Sequence, residues 1–226
     1  MAHIQATGFY MIHQGIVDVK YGALYNWYAA TDARYICSAG WHVPTKTEIE
    51  TLQTYLGGAS VAGGKLKEIG LIYWNTPNTG ATNEVGFNGR GVGTRTDNLG
   101  LFKDNKVTQT IWSSTQEVGE AVVIDLVNAA ESSSIHATYR KTGGSLRLIK
   151  DSTTLSHGQT GTYTGNDGKV YRTICIGTQE WLADNLCETL YRDGTPIPEV
   201  TDNSAWAALT TGAMCAYNNN WDNVLL

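Results

Sequence analysis

The chain lacks several things, and each absence removes a class of function. It has no cluster of Lys or Arg; 16 basic residues stand against 21 acidic ones, for a net charge of -5. A protein that tracks a phosphate backbone shows a basic stripe, so nucleic acid is not an expected partner. No apolar run approaches the roughly 20 residues needed to cross a bilayer, so membrane insertion is not expected either. The start, MAHIQATG, has no basic region followed by an apolar one and does not read as a signal peptide. Such a chain stays in the cytoplasm that made it, loses a leader earlier, or leaves by lysis as part of a phage particle.

Metal and thiol signatures are missing too. The cysteines Cys37, Cys175, Cys187 and Cys215 form no Cys-x-x-Cys pair. Four cysteines permit three complete pairings, and spacing cannot choose among them. Buried free thiols are the expectation, which would reverse in an oxidising compartment. No two histidines stand at metal-ligand spacing. No cofactor and no metal is expected.

What is present is glycine and aromatic. There are 25 Gly, 12 Tyr and 7 Trp in 226 residues, with charged residues at only 16%. This composition suggests tight turns and short strands, and the length suggests one domain with extra segments. The clearest helix begins at Thr45, where Glu48 completes a capping box. Ile49, Leu52 and Leu56 follow at helical spacing, and Gly57 and Gly58 stop it. Residues 75–80 form a loop by composition. Strands are predicted over 121–127, 134–140 and 145–150, with hairpin loops at 130–133 and 141–144. Residues 151–161 read as a linker. A strand over 169–176, an apolar-polar run over 181–186 and a short helix over 203–209, capped by Asp202 or Asn203, complete an α+β reading.

The runs YGALYNWY (21–28), AGWHVPT (39–45), GGKLK (63–67), TNEVGF (82–87) and WSST (112–115) carry a resemblance. So do DGKVY (167–171), IGTQEW (176–181), Asn185-Leu186, DGTPIP (193–198) and YNN (217–219). Together they resemble the Fibrobacter succinogenes major paralogous domain, a family related to C-type lectins and formylglycine-generating enzymes. The resemblance implies a C-type-lectin-like fold. In the family the DGKVY and IGTQEW blocks come first and the YNN block runs into YGALYNWY. Here that order is reversed, which implies a circular permutation: a family-late part at 21–150, the linker 151–161 and a family-early part at 162–226, behind a leader at 1–20. A domain swap between two chains is the alternative.

No catalytic residue is assigned. Cys37 and Cys215 lack a basic neighbour in sequence to lower their pKa, which weakens a formylglycine-generating or copper chemistry. His42 reads as a hydrogen-bonded structural residue. Glu48 and Glu50 do not share a helix face. Glu84 reads as a buried anchor, and Trp27, Trp41, Trp112 and Trp181 as core. The runs Thr76-Pro77-Asn78 and Trp221-Asp222-Asn223 depart from the calcium-binding triplets of true lectins. In relatives of the fold, ligands meet the face built by the later strands. Carried over, that face runs from Trp112 to Lys141 and offers Glu117, Glu131, Ser133, His136, Tyr139, Arg140 and Lys141, polar groups suited to adaptable recognition. The apolar run Phe9, Tyr10, Met11 and Ile12 is the expected docking segment, within a homo-oligomer. The expected role is a non-catalytic virion protein: a head fibre, tail fibre or capsid decoration, seated on other virion proteins and contacting a glycan or protein of the bacterial surface. The alternative is a bacterial surface or secreted adhesion protein; a divergent enzyme ranks third.

Overall fold

The computed structural model describes residues 16–225. The expected docking residues Phe9, Tyr10, Met11 and Ile12 lie outside them. The chain is α+β with mostly antiparallel strands. In order, the elements are β1 (Leu24–Tyr25), α1 (Trp27–Ala30), β2 (Trp41–His42), α2 (Lys46–Tyr55), α3 (Ala59–Leu66), β3 (Thr94–Arg95), β4 (Phe102–Lys103), β5 (Thr108–Glu117), β6 (Glu120–Val127) and β7 (Ser133–Thr138). There follow β8 (Ile149–Lys150), β9 (Thr160–Thr164), β10 (Val170–Ile176), β11 (Gln179–Leu182), α4 (Asn203–Ala207) and β12 (Met214–Cys215).

The capping box forms as the sequence predicts. The Glu48 amide donates to Thr45 Oγ1 at 3.3 Å, and the Thr45 amide donates to Glu48 Oε2 at 2.7 Å. Asp202 caps α4 with a single bond, accepting from the Ala205 amide at 2.7 Å.

A three-stranded sheet, β5-β6-β7, lies at the centre. Ile111, Ile124, Leu126 and Ile135 on one face pack with Leu52, Ala62 and Leu66 of α2 and α3. Trp112, Ala121 and Val123 on the other join a second apolar cluster with Tyr25, Leu146 and Leu148. A bulge between Trp112 and Gln116 turns β5 toward α2. There the Ser114 amide reaches Pro44 O and the Lys46 amide reaches Thr115 Oγ1. The WSST run therefore anchors the start of α2.

A five-stranded sheet, in the order β2-β8-β11-β10-β9, draws strands from both sides of residues 151–159. The β1–β12 pair also joins early and late chain, matching Leu24 with Cys215 and Tyr25 with Met214. The Tyr21 amide donates to Asn223 O at 3.1 Å, and the Gly22 amide to Val224 O at 3.2 Å. Both apolar clusters include residues from both parts.

Several expectations need correction. Residues 145–150 do not form one alternating strand after a hairpin loop. Gly143, Gly144 and Ser145 instead make single bridges to Arg95, Tyr25 and Ile111, and only Ile149 and Lys150 are strand. Residues 145–149 are buried on every side, so alternation there does not mark an exposed face. The expected linker is ordered against the sheet: Thr153 Oγ1 donates to Glu180 Oε2 at 2.5 Å, and its last two residues open β9. The run 181–186 is strand only to Leu182. Helix α3 is absent from the sequence reading because Gly63 and Gly64 look like breakers. Added Cβ atoms there would meet Ser132 O at 2.2 Å and Gly80 O at 2.3 Å, so these glycines exist for close approach rather than for a turn.

Three buried cations tie the long loops down. Arg147, fully buried, donates to Phe87 O at 2.6 Å, Leu182 O at 3.0 Å, Asn88 O at 2.9 Å and Asn185 Oδ1 at 2.7 Å. Lys67 donates to Thr79, Val127 and Ala130 carbonyls at 2.7–2.9 Å, and burial pushes its pKa down to about 8. Arg95 lies between the Phe102 and Trp206 rings and holds the Gly100 and Thr201 carbonyls. Backbone oxygens that no sheet or helix satisfies thus find charged donors.

Candidate functional site

Of the eight residues expected to meet a ligand, two are withdrawn from solvent. Trp112 is fully buried and its Nε1 donates to Tyr25 O at 2.8 Å. Ser133 is buried and accepts from Gln53 Nε2 at 2.8 Å. Both side chains are already spent on these bonds, so neither offers a free group to a ligand in this conformation. The other six are dispersed. Glu117 pairs with Lys46 at 2.7 Å beside the bulge. Glu131 is exposed near α3, where its main chain receives the Gly64 amide. Arg140 stacks on Trp27, and Lys141 Nζ donates to Ala207 O. Tyr139 is exposed. Only His136 faces a polar cleft.

That cleft encloses about 220 Å³. Its floor is Thr108 and Thr110 of β5, Asp125 of β6, and His136 and Thr138 of β7. Its walls are Thr94, Thr96, Asp97, Lys103 and Asp104 around the β3–β4 pair, with Thr142 opposite. Strand register builds the floor: Thr110 pairs with Asp125, and Asp125 with Ser134. His136 Nε2 stands 3.7 Å from Asp125 Oδ2. Burial pushes the Asp125 carboxyl up, against the opposing pull of the Thr110 hydroxyl and of His136.

Two buried oxygens of this cleft have no hydrogen-bond partner among the described residues. They are Asp125 Oδ1 and Thr94 Oγ1. Thr94 is 6% exposed. Native interiors satisfy nearly all buried polar groups; of the seven unpartnered buried side-chain atoms among the described residues, two belong to the lining of this one small cleft. Sequence reasoning missed both residues. A signal for Asp125 existed: it is the lone charge inside the apolar strand AVVIDLV. Thr94 had none.

Another cavity, of about 390 Å³, is lined by Thr31, Asp32, Cys37, His42, Val43 and Ser114 among others. Here the side-chain polar groups other than the exposed Tyr35 hydroxyl are engaged elsewhere. His42 Nδ1 meets Asp151 Oδ1 at 2.6 Å and its Nε2 meets Glu48 Oε1 at 2.9 Å. Burial opposes the charge on His42, but the bonds to Asp151 and Glu48 outweigh it and raise the pKa. Burial likewise opposes the charge on Glu48, and the Thr45 amide and hydroxyl together with His42 hold its carboxyl below the usual range. The Cys37 thiol donates to Trp41 O at 2.9 Å, and burial pushes its pKa up to about 11. Cys187 and Cys215 are pushed up to about 12 by burial, and Cys175 is also raised. All four cysteines are buried and none is paired with another.

Glu84, expected to be a buried anchor, instead reaches Lys65 at the surface at 3.0 Å. Trp41, Trp112 and Trp181 are core, as expected, while Trp27 is half-buried with its Nε1 on Ser113 O.

The model of the Fibrobacter succinogenes major domain matches residues 7–150, well over half of the chain. The chain belongs to that family. No curated protein and no solved structure matches it. The Fibrobacter major domain match contains the whole cleft, since every cleft residue lies between Thr94 and Thr142. It also contains Lys67, Arg95 and Arg147. No helix among the described residues is long and apolar enough to cross a membrane.

Proposed function

We propose that this chain is a non-catalytic binding module whose ligand enters the Asp125–His136 cleft. The observation that carries the reading is the pair of unpartnered oxygens, Asp125 Oδ1 and Thr94 Oγ1, in a polar recess. A cleft that leaves donors and acceptors unused is ready to exchange hydrogen bonds with a guest. Chemistry has less support. A nucleophilic thiol must ionise, and burial here raises the pKa of all four thiols. A general base needs a free ring nitrogen, and both nitrogens of His42 are taken.

The proposed architecture is a C-type-lectin-like fold in circularly permuted order. The pairing of β1 with β12 and the antiparallel five-stranded sheet support it, because both close the core with residues from the two parts of the chain. A gene in which 162–225 precedes 16–150 tests this: a soluble, cooperatively melting product supports permutation, and an unfolded one argues against it. The proposed setting is a phage particle, as a head fibre, tail fibre or capsid decoration within a homo-oligomer; the alternative is adhesion from a bacterial surface. Light scattering of the purified protein and immunogold imaging of particles and cells separate the two.

The binding reading is tested by pull-down of bacterial envelope fractions. Wild-type protein retains material that the double variant Thr94→Val, Asp125→Asn does not. Equal retention, or none by either, would sink it.

A further inference from the structure

We propose that the cleft takes an uncharged, hydroxyl-rich saccharide unit, bound without a metal ion. The inference rests on the binding reading and adds the ligand's chemical class.

The lining dictates the chemistry. Six threonines, Thr94, Thr96, Thr108, Thr110, Thr138 and Thr142, supply hydroxyls that both donate and accept. Asp125 Oδ1 is a buried acceptor without a donor, and Thr94 Oγ1 is an unpartnered hydroxyl of the same lining. Adjacent hydroxyls on a sugar ring satisfy an acceptor and a hydroxyl together, since each both gives and receives a hydrogen bond. His136, with its ring 3.7 Å from the Asp125 carboxyl, adds a third polar contact at the mouth.

Charge narrows the class. Asp97, Asp104 and Asp125 line the cleft against Lys103 and His136, and Lys103 already lies 3.6 Å from Asp104. The surplus is negative, so a uronate, sialate or sugar phosphate meets repulsion. Size narrows it further. A volume of about 220 Å³ falls below the usual range for drug-sized ligands, roughly 300–1,000 Å³. It suits one ring, the end of a chain rather than its middle. Asp97, Asp104, Asp125 and His136 line the cleft, but among the described residues no three His, Cys, Asp or Glu side chains come together as they would to hold a metal ion. The proposed contacts to the ring are therefore those of the protein groups themselves.

The experiment is a titration of the whole protein, in EDTA, with glucose, galactose, N-acetylglucosamine and glucuronate, followed by amide and Thr methyl NMR. At least one neutral sugar shifts the signals of Thr94, Asp125 and His136 with millimolar affinity, on the order of that expected for a single ring. Glucuronate binds at least about tenfold more weakly, a penalty near 1.4 kcal/mol. Thr94→Val, which loses only the hydroxyl, and Asp125→Asn, which loses only the charge, each weaken binding tenfold or more while the rest of the spectrum stays folded. Shifts that need calcium, favour glucuronate, fall outside the cleft or survive both substitutions overturn the proposal. So does silence toward every neutral sugar. If that silence accompanies envelope retention that depends on the two cleft residues, the binding module stands and only the ligand class fails.

Discussion

His42 and His136 both stand on strands beside carboxylates, yet they belong to opposite kinds of region. His42 is saturated. One ring nitrogen is held by Asp151 and the other by Glu48, and Glu48 spends its second oxygen on the cap of α2. On the cleft floor His136 stands 3.7 Å from Asp125 of the neighbouring strand, too far for a hydrogen bond, and that carboxylate keeps an oxygen unused. The first region is spent on holding the fold. The second holds capacity in reserve. Residue type does not separate them; what separates them is whether each polar atom already has a partner. The cavity beside His42 is thus the less promising of these two regions, because its histidine and thiol are occupied.

The contrast can be attacked from the saturated side first. Arg147→Ala removes a guanidinium that satisfies three carbonyls and Asn185, and leaves those acceptors buried. Each such loss costs about 1–3 kcal/mol, so denaturant unfolding is expected to show a deficit on the order of 3 kcal/mol or more. A smaller change would mean that water replaces the arginine and that the loops do not depend on it.

A pH effect comes next. Glu188 is buried against Asp167, and its carboxyl accepts the Asn166 amide at 2.6 Å and the Leu190 amide at 3.1 Å. Burial and the neighbouring Asp167 raise its pKa to about 7. The folded state therefore holds a proton that the unfolded state releases above about 4.5. Stability falls as pH rises from that value through about 7. His42 acts with the same sign: its raised pKa stabilises the fold fully below about 6.5, and that gain is lost as pH climbs through the raised value. Thermal melts from pH 4.5 to 8.5 are expected to decline throughout. Glu188→Gln flattens the lower part of the decline and His42→Gln the upper part. A melting temperature that rises with pH across this window contradicts both assignments.

Thr45→Ala removes the α2 cap and one partner of Glu48, and is expected to lower stability by about 1 kcal/mol. Its second consequence is specific: Glu48 loses a support, so the His42 titration seen by NMR moves down. The smallest stability effect belongs to the cleft. Thr94→Val deletes a buried hydroxyl that has no partner, so the unliganded protein is expected to change by less than about 0.5 kcal/mol, or to gain. A large loss would show that the hydroxyl is already satisfied, and the contrast between the two regions would collapse.

The helix at Thr45, the helix at Asp202, the hairpin loop near 130 and the strand near 170 were legible because their signals are local. A cap is three residues long, and a strand's period repeats within six. The family was legible too, from blocks such as GGKLK and WSST. The candidate site was legible only at His136. The withdrawal of Trp112 and Ser133 was hidden because β5 and β7 are covered on faces that a solitary strand would expose. Helix α3 was hidden because close backbone approach and chain breaking use the same residue, glycine.

By itself, then, the sequence determined an α+β chain of short strands, its caps and its family, since capping and periodicity act between near neighbours. Tertiary structure alone decided which polar groups are spent and which are free. Arg147 meets Phe87, Leu182 and Asn185 across as many as 60 residues of chain, and Asp125 meets no such partner for its Oδ1. Hydrogen-bond satisfaction in a folded interior is a property of atoms brought together from distant segments, and no local pattern records it.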